Sequence, residues 1–406
     1  MKSFRENSRK LSVFFSHSTE EEDNLTRFNT EDVAIAETPL TLSISRDDEQ
    51  QRERVNLLRA QFDTPFGSLP GKALLGMQST WVNYTTLQQL AYYREALQTG
   101  ANAFTIDQTI HALYLLYEKE AGELKWKIGV RAESYQHDGV QRLGDSLIED
   151  RYLNVFPSVQ LSQSLGEVST LSGSYSYRID RPIFRQINPY LSFDDPLNVR
   201  TGNPFLQPQF AHRVELSYQA QFPNDKVAVS VFGHQINNTI QRIAAEQGDR
   251  VLLTYTNIGT NRRVGATLFY GTSPTAWLQL NQSAAVYHDA FRDPREALLR
   301  FSSNTTYNAR LEQVVSLKSG WKLQLQEYYY APARGIQETK PHRFYANLAI
   351  RKTSKDKRLS VSLQATDVFG TQNIIETTIT PDLELRRELV YQFQRVGVNV
   401  SYKLME

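Results

Sequence analysis

The side chains with the clearest capacity for chemistry are seven histidines and a few adjacent acidic pairs. No two histidines are four residues apart and none stands in a His-Glu zinc motif, so the usual helical zinc site is missing. Glu149-Asp150 and Asp194-Asp195 offer oxygen ligands for calcium, but calcium needs six or more converging oxygens, and solvated loop charge is the favoured interpretation. The sequence has no cysteine, which excludes disulfides, thiolate metal sites and a cysteine nucleophile. We predict no enzymatic activity and no cofactor.

The composition narrows the class of protein. The 406 residues carry 45 Lys and Arg against 44 Asp and Glu, a net charge of +1, without the basic excess of a bulk nucleic-acid binder. The longest uninterrupted apolar run, Ala112 to Tyr117, has six residues. A membrane-spanning helix needs roughly 20, so a helical membrane protein is excluded. The first residues lack an apolar signal core, and we expect no export signal within this chain.

Alternation of apolar and polar residues with a period of two runs through most of the chain, and it predicts strands with one apolar and one polar face. Between Trp126 and Glu133, apolar residues occupy the even positions, and charged residues or glycine the odd ones. Short connections are predicted at 65–71, 119–124, 165–167, 223–226, 272–275 and 353–357. Long ones are predicted at 20–52, 86–103, 138–152, 180–208, 242–260, 288–296, 331–341 and 370–388. This pattern gives about sixteen strands of roughly 10 to 16 residues, from 9–19 to 389–404.

Two β architectures compete for this pattern. Strands of soluble sandwiches and propellers average about 5–6 residues, and their loops do not alternate between short and long. A transmembrane barrel needs strands of about 9–11 residues with tight turns on one side and long loops on the other, and it is favoured. Its polar face meets water, which suits the charges predicted there: Lys127, Arg131, Glu133, Arg178, Glu215 and Arg351. Aromatics at strand ends, such as Tyr135 and Tyr177, suit interfacial girdles or are ordinary strand aromatics.

One proline-rich segment is more specific than the strands. Ser174-Tyr175-Ser176-Tyr177-Arg178-Ile179-Asp180-Arg181-Pro182 leads to Ile187-Asn188-Pro189-Tyr190, Asp195-Pro196-Leu197-Asn198 and Gly202-Asn203-Pro204-Phe205-Leu206-Gln207-Pro208. Asn237-Asn238-Thr239-Ile240, Tyr255-Thr256-Asn257-Ile258-Gly259 and Thr366-Asp367-Val368-Phe369-Gly370-Thr371 follow. These motifs resemble the signature strand and loop of the outer-membrane β-barrel region of TonB-dependent receptors, in the version common in Bacteroidota. The resemblance covers residue 50 to the C-terminus well and 1–50 loosely.

The loop residues also have a physical interpretation. Prolines remove backbone donors and fix φ, so strand pairing is expected to stop in this segment. Gly202-Asn203 is expected to supply a turn with positive φ. The stiffened loop should fold back over itself or into the barrel mouth, either as a rigid rim brace or in contact with ligand. The candidate site residues are Arg178, Arg181, Pro182, Asn188, Pro189, Asp195, Pro196, Gly202, Asn203, Pro204 and Pro208.

The resemblance implies a 22-stranded barrel plugged by an N-terminal domain, which a TonB-type periplasmic partner pulls on through a short coupling segment. Residues 1–406 are interpreted as the C-terminal portion of the barrel domain. About six strands, the plug and the signal peptide are expected to be absent. The expected location is the outer membrane of a Gram-negative cell, as an integral protein. The expected partners are outer-membrane lipid, the barrel-assembly machinery and a small nutrient ligand, with no nucleic acid.

Two functions follow. The first is a receptor and transporter barrel for TonB-dependent uptake of a siderophore, cobalamin, an oligosaccharide or a peptide. The alternative is a passive porin or surface-binding barrel without a plug, which a complete sixteen-stranded barrel would permit. Single-channel conductance discriminates between them, because a stable open pore indicates the alternative.

Overall fold

The protein is almost entirely β-strand in the computed structural model, which describes residues 9–30, 43–65, 71–94, 96–141, 146–195, 198–247, 250–295, 301–380, 383–389 and 393–404. Sixteen strands have eight or more residues: β1 (Lys10–Thr30), β2 (Ser43–Pro65), β3 (Lys72–Arg94), β4 (Ala96–Ala121), β5 (Leu124–Gln141), β6 (Ser146–Leu165), β7 (Ser169–Asp180), β10 (Gln209–Gln221), β11 (Asp225–Gln247), β12 (Arg250–Thr275), β13 (Leu278–Arg292), β14 (Ser303–Ser316), β15 (Trp321–Tyr330), β18 (Arg343–Thr353), β19 (Leu359–Thr366) and β22 (Arg395–Tyr402).

The remaining elements are short and lie in the connections. They are helix α1 (Phe184–Ile187) and strands β8 (Ser192–Asp195), β9 (Asn198–Arg200), β16 (Ala333–Arg334), β17 (Glu338–Lys340), β20 (Ile374–Ile379) and β21 (Glu384–Leu389), with a 3₁₀ turn at Lys318–Gly320. No helix in these ranges combines the length and the apolar character needed to cross a membrane.

The long strands pair antiparallel with their neighbours in the chain. The ladders run through β1 to β5, and again through β12, β13, β14, β15, β18, β19 and β22. The predicted antiparallel all-β fold is confirmed, and the sixteen long strands match the predicted number.

The predicted strand lengths are wrong for β1 to β6 and for β11 and β12. Regions 20–52, 86–103, 138–152 and 242–260 are mostly strand, because β1 to β6, β11 and β12 continue far past the apolar alternation. A strand of 26 residues such as β4 spans about 85 Å, whereas the apolar core of a bilayer is about 30 Å thick. The backbone ladder continues past the apolar stripe, but the apolar–polar alternation that identifies a strand in the sequence does not.

Four of the predicted short connections lie where the sequence places them, one is shifted, and the one at 65–71 falls mostly outside the described residues. Tight turns occur at 122–123, 166–168, 222–224 and 354–358, and Gly122 and Gly166 adopt positive φ of 63° and 72°. Glycine reaches this region without steric cost, which explains its place in these turns. The turn predicted at 272–275 lies instead at 276–277, because β12 continues to Thr275.

The chain divides into two compact units. The first contains residues 1–160, 176–210 and 238–258, and the second contains 161–175, 211–237 and 259–406. In the first unit a buried cluster joins Phe104 and Ile106 of β4 to Ile187 and Leu206 of the loop after β7. This cluster fixes the proline-rich loop against one face of the sheet.

Burial in the first unit is inverted relative to a water-soluble sheet. Strand pairing places Leu11, Phe62, Leu75, Leu115 and Val130 side by side across β1 to β5. All five side chains are exposed, between 36% and 67%. On the other face of β5, Glu133 and His137 are buried, each 7% exposed. A continuous exposed apolar stripe on one face and buried charge on the other indicate a sheet with an apolar medium outside and polar groups inside.

The second unit includes a four-stranded sheet built from its long connections, β16, β17, β20 and β21. Lys340 and Arg387 both pair with Glu376, each at 2.9 Å.

Just after β13, the Asp293 carboxylate accepts hydrogen bonds from the backbone N–H groups of Gly259 and Arg295, both at 2.7 Å, and pairs with the Arg295 guanidinium at 3.0 Å. These contacts join the end of β13 to β12.

Asp293 is expected to give this connection a pH dependence. Its hydrogen bond to the Arg295 side chain and those from backbone N–H groups lower the pKa of the Asp293 carboxyl. A carboxyl whose pKa is lowered by folding stabilises the fold above its unfolded pKa of about 3.9, and the stabilisation is lost as pH falls through the folded value. Unfolding midpoints of wild type and Asp293→Asn in detergent should therefore differ at pH 6, and the difference should begin to shrink only below about pH 4 and vanish once the folded carboxyl is protonated. A difference independent of pH would contradict this account.

Candidate functional site

The signature loop, residues 181–208, folds back over itself as the sequence predicts. The backbone N–H of Gly202 donates to the carbonyl of Asn188 at 2.8 Å, and that of Asn203 donates to Gln186 at 2.6 Å. The Thr201 hydroxyl donates to the carbonyl of Pro189 at 2.9 Å. Residues 186–189 and 201–203 of the loop are therefore hydrogen-bonded to each other next to α1.

Gly202 is required for a reason other than the expected one. Neither Gly202 nor Asn203 adopts positive φ. A Cβ on Gly202 would instead lie 2.4 Å from the Asn188 carbonyl oxygen, 2.7 Å from its nitrogen and 2.8 Å from the Gln186 oxygen. The glycine allows two backbone segments to approach, and the prediction of a positive-φ turn is wrong.

The prediction that strand pairing stops in this loop is also wrong. β8 and β9 form a small antiparallel pair, and β9 pairs in parallel with β12 through Val199↔Leu252 and its neighbours. Thr201 N–H donates to the Leu253 carbonyl at 3.0 Å and the Asn203 amide donates to the Tyr255 carbonyl at 3.0 Å. No proline lies within β9, so its donors are available, and the loop gains an edge of sheet.

An amide clasp holds the far end of the loop. The side chain of Asn257 accepts the Gln207 N–H at 2.9 Å and donates to the Gln207 carbonyl at 2.8 Å and the Asn238 carbonyl at 3.0 Å. Asn238 adopts φ of 57° and donates its side-chain amide to the Pro208 carbonyl at 3.0 Å. Asparagine tolerates this left-handed conformation better than most residues. The three separate sequence motifs around Asn203, Asn238 and Asn257 thus meet in one structure.

Asn257→Asp should open this clasp. The aspartate keeps an acceptor for Gln207 N–H, but it cannot donate to the carbonyls of Gln207 and Asn238, and it brings a negative charge close to both oxygens. We expect the variant to lose about 2 kcal/mol of unfolding free energy, measured by urea titration in detergent. Asn399→Asp, at an exposed position of strand β22 opposite Ser362, is the matched control and should stay within about 0.5 kcal/mol of wild type. Equal effects of the two substitutions would contradict the assignment.

Arg181 anchors the near end of the loop in a buried ion-pair network. Its Nη2 contacts Glu133 Oε2 at 2.6 Å, while Arg131 Nε contacts the other carboxylate oxygen at 2.6 Å. The guanidinium also lies over Tyr135 and Tyr152, 4.8 Å and 5.6 Å from their ring centres, and Nε donates to Tyr152 Oη at 2.8 Å. Tyr135 is 5% exposed and belongs to this network. Its suggested place in an interfacial girdle is therefore wrong.

The other predicted site residues are distributed around this anchor. Arg178 is exposed in β7, Asp195 ends β8, and Pro196 lies outside the described residues. The remaining three, Pro182, Pro204 and Pro208, line a small cavity of about 100 Å³ together with Tyr135, Tyr152 and His137. The prolines thus pack against the Arg181 network, and the loop is tied down at both ends.

The middle of the loop lies over a larger cavity of about 390 Å³. Phe184 of α1 stacks on Tyr84 of β3 with ring centres 3.3 Å apart, and forms part of the wall. The loop supplies Asn188, Tyr190 and Gly202 to the lining. The charged lining residues are Glu22 of β1, Glu49 of β2, Arg185 of α1, Arg200 of β9 and Arg242 of β11.

Sequence reasoning missed these charged residues. Glu22 and Glu49 fall in a region predicted as loop, and Arg242 falls at the start of another. The alternation that would identify their strands ends before them. In the part of the chain that the structure describes, no group of three or more His, Asp or Glu side chains could hold a metal ion.

The family can now be assigned. The sequence profile of the outer membrane protein β-barrel family matches residues 2–402. This chain belongs to that family. None of the curated proteins compared with the chain matches its sequence. An integral outer-membrane location follows from the family, and it explains the inverted burial, since the apolar stripe across β1 to β5 faces lipid.

Solved outer-membrane receptors share the fold. They include the ferric yersiniabactin uptake receptor FyuA from Yersinia pestis (10% identity, 98% of this chain, 59% of that chain, TM-score 0.63). The ferripyoverdine receptor of Pseudomonas aeruginosa (11%, 98%, 54%, 0.63) and the ferric-catecholate import receptor Fiu from E. coli K12 (12%, 98%, 62%, 0.66) are similar. The chain spans about three fifths of the length of these receptors. At such identities the likeness shows the fold alone.

Proposed function

We propose that this chain forms the barrel wall and the loop-lined binding region of an outer-membrane receptor for TonB-dependent uptake of a scarce nutrient. The observation that carries the proposal is the signature loop, clamped at Arg181 and Asn257 over a 390 Å³ cavity. Cavities of about 300–1,000 Å³ with a few convergent polar groups are typical ligand sites. The loop acts both as a rigid brace and as a wall of the binding region.

Further support comes from the resemblance of the Arg181-Pro182, Asn188-Pro189 and Gly202-Asn203-Pro204 motifs to Bacteroidota-type TonB-dependent receptors. The similar solved structures are named as uptake and import receptors. In this proposal residues 1–406 are the C-terminal portion of the barrel domain. The barrel-assembly machinery inserts it, outer-membrane lipid surrounds it, and a TonB-type periplasmic protein acts through the N-terminal region of the complete receptor. The function is transport and not catalysis.

Uptake in cells tests the proposal. Cells that carry the complete receptor, with residues 1–406 as its barrel portion, in the outer membrane are supplied with radiolabelled ferric siderophores, cobalamin, oligosaccharides and peptides, with and without a functional TonB protein. Uptake of one class that requires TonB is expected. Uptake that is indifferent to TonB, together with stable single-channel conductance in planar bilayers, would indicate the alternative, a passive pore. Uptake of no class above that of cells lacking the protein would also count against the receptor.

A further inference from the structure

One lysine interrupts the apolar face of the sheet in the second unit. On this face, β15, β18, β19 and β22 each contribute one residue to every cross-strand row, and rows two residues apart share the face. Two successive rows are apolar throughout: Leu325–Leu348–Ala365–Val396 and Leu323–Ile350–Leu363–Val398. The next row, at the short-turn end of the strands, is Trp321–Lys352–Val361–Val400. Lys352 therefore carries the only charge in these three rows.

The Lys352 side chain lies where the apolar face ends. Its Nζ is 4.9 Å from the centre of the Trp321 ring and donates to the Ser319 carbonyl at 2.5 Å. Trp321 and Val361 beside it are 43% and 37% exposed. Tryptophan is enriched at membrane–water interfaces, and lysine there extends its ammonium group toward the headgroups. This row therefore marks the level of the lipid headgroups.

The turns next to this row add cations. The turn at 317–320 leads into β15, and the turn at 354–358 joins β18 to β19. Their basic residues, all exposed, are Lys318, Lys355, Lys357 and Arg358. Asp356 is the one acidic residue, and its carboxylate accepts hydrogen bonds from the Ser354 hydroxyl at 2.5 Å and the Arg358 backbone N–H at 3.2 Å. Within the described ranges, none of the four cations pairs with a carboxylate.

The other short turns of this unit lack such a cluster. The turn at 166–168 carries only Glu167, and the turns at 222–224 and 276–277 carry no charged residue. The positive charge is thus confined to the two turns that adjoin the Lys352 row. We name Lys352, Trp321 and the four turn cations the basic corner.

We propose that the basic corner binds the phosphate headgroup of an anionic phospholipid. In outer-membrane barrels the short turns face the periplasm, so the lipid belongs to the periplasmic leaflet. Clusters of Lys and Arg beside a membrane-spanning segment attract anionic lipid. A phospholipid fits both parts of the surface, because its phosphate meets the cations while its acyl chains lie on the apolar rows. A free phosphate ion has nothing to place on those rows.

Fluorescence quenching by brominated lipids tests this inference, because bromine quenches a tryptophan only at close contact. The full chain is reconstituted in phosphatidylcholine vesicles that contain either dibromo-phosphatidylglycerol or dibromo-phosphatidylcholine. The difference between wild type and Trp321→Phe isolates the signal of Trp321. Since each cation near the surface favours an anionic lipid about fivefold, we expect phosphatidylglycerol to be preferred at Trp321 about twentyfold or more. Equal quenching by the two brominated lipids would overturn the proposal.

Substitutions locate the preference. Lys352→Gln should lower it about fivefold, and the double variant Lys355→Gln with Arg358→Gln should lower it at least as much. The double variant changes only exposed turn side chains, so it keeps the test valid if Lys352→Gln does not fold. Lys322→Gln is the matched control, because Lys322 pairs with Arg351 on the opposite face of the same strands. Equal effects of control and site variants would contradict the assignment.

The source of the phosphate group and the proposed function are tested separately. An excess of inorganic phosphate should leave the preference in place, and a preference that it abolishes would assign the site to the free ion and overturn the lipid. The inference depends on the outer-membrane location and not on uptake. Its failure would leave TonB-dependent uptake untouched, and a passive pore could carry the same lipid site.

Discussion

Gly202→Ala is expected to be among the most damaging single substitutions in the chain, lowering the unfolding free energy by about 3 kcal/mol. The added methyl group would lie 2.4 Å from the Asn188 carbonyl oxygen, and the other close atoms are also backbone. Backbone cannot rotate away as a flexible side chain can, so the hydrogen bonds from Gly202 to Asn188 and from Asn203 to Gln186 must break. The signature loop then loses its fold-back.

Two measurements check this expectation. Urea unfolding of the purified protein in detergent gives the free energy, and limited trypsin digestion reports the loop, because the bonds after Arg185 and Arg200 become cleavable when it opens. Gly233→Ala in β11 is the matched control, since no atom lies within 4 Å of its added Cβ. We expect this control to stay within about 0.5 kcal/mol of wild type. A Gly202→Ala protein with unchanged stability and digestion would show that the loop tolerates displacement.

Arg181→Met is expected to cost about 3 kcal/mol, because it leaves half of a buried ion-pair network unmade. The Glu133 side chain is 9% exposed and would keep only Arg131, while the stacking of the guanidinium on Tyr135 and Tyr152 is lost. The stability of Arg181→Lys should fall between those of wild type and Arg181→Met, since an ammonium group restores the charge without the planar fork of the guanidinium.

The matched control is Arg178→Met, three residues earlier and exposed in β7. It should change stability by less than about 0.5 kcal/mol in the same urea titration. In the double variant Arg181→Met with Glu133→Leu, the loss should be smaller than the sum of the single losses, because the uncompensated carboxylate is gone. Additive losses would indicate that Arg181 and Glu133 do not stabilise one another.

The sequence predicts the strands well where one face is apolar. β5 is the clearest example, because the even positions from Trp126 to Ala132 are apolar and the odd ones are charged or glycine. Glu133 lies on the predicted polar face, but it is buried in the Arg181 network where water was expected. Tyr135 occupies an odd position as well, so its phase in the strand places it with Glu133 on the polar face. Strand phase thus predicts the location of an aromatic residue better than its distance from the strand end.

The internal structure of the signature loop is not predicted, because it depends on contacts between segments far apart in the chain. The clasp of Asn257 on Gln207 joins residues 50 positions apart, and nothing in either local sequence specifies the pair. The fold-back of Gly202 on Asn188 could be suspected from a Gly-Asn-Pro motif, but not its cause, because close approach and positive φ both call for glycine. Glu49 and Arg242 were missed because the apolar–polar alternation ends before them, so their segments were predicted as connections.

The central claim is that each wall strand has one face toward lipid and one toward polar groups, and single-cysteine spin labelling of β5 tests it most directly. The chain has no native cysteine, so variants such as Lys127→Cys, Ile128→Cys, Val130→Cys and Arg131→Cys each carry one label. In reconstituted membranes, oxygen accessibility should peak at 128 and 130, and accessibility to a water-soluble nickel chelate should peak at 127 and 131. Equal nickel accessibility at all four positions would contradict the claim.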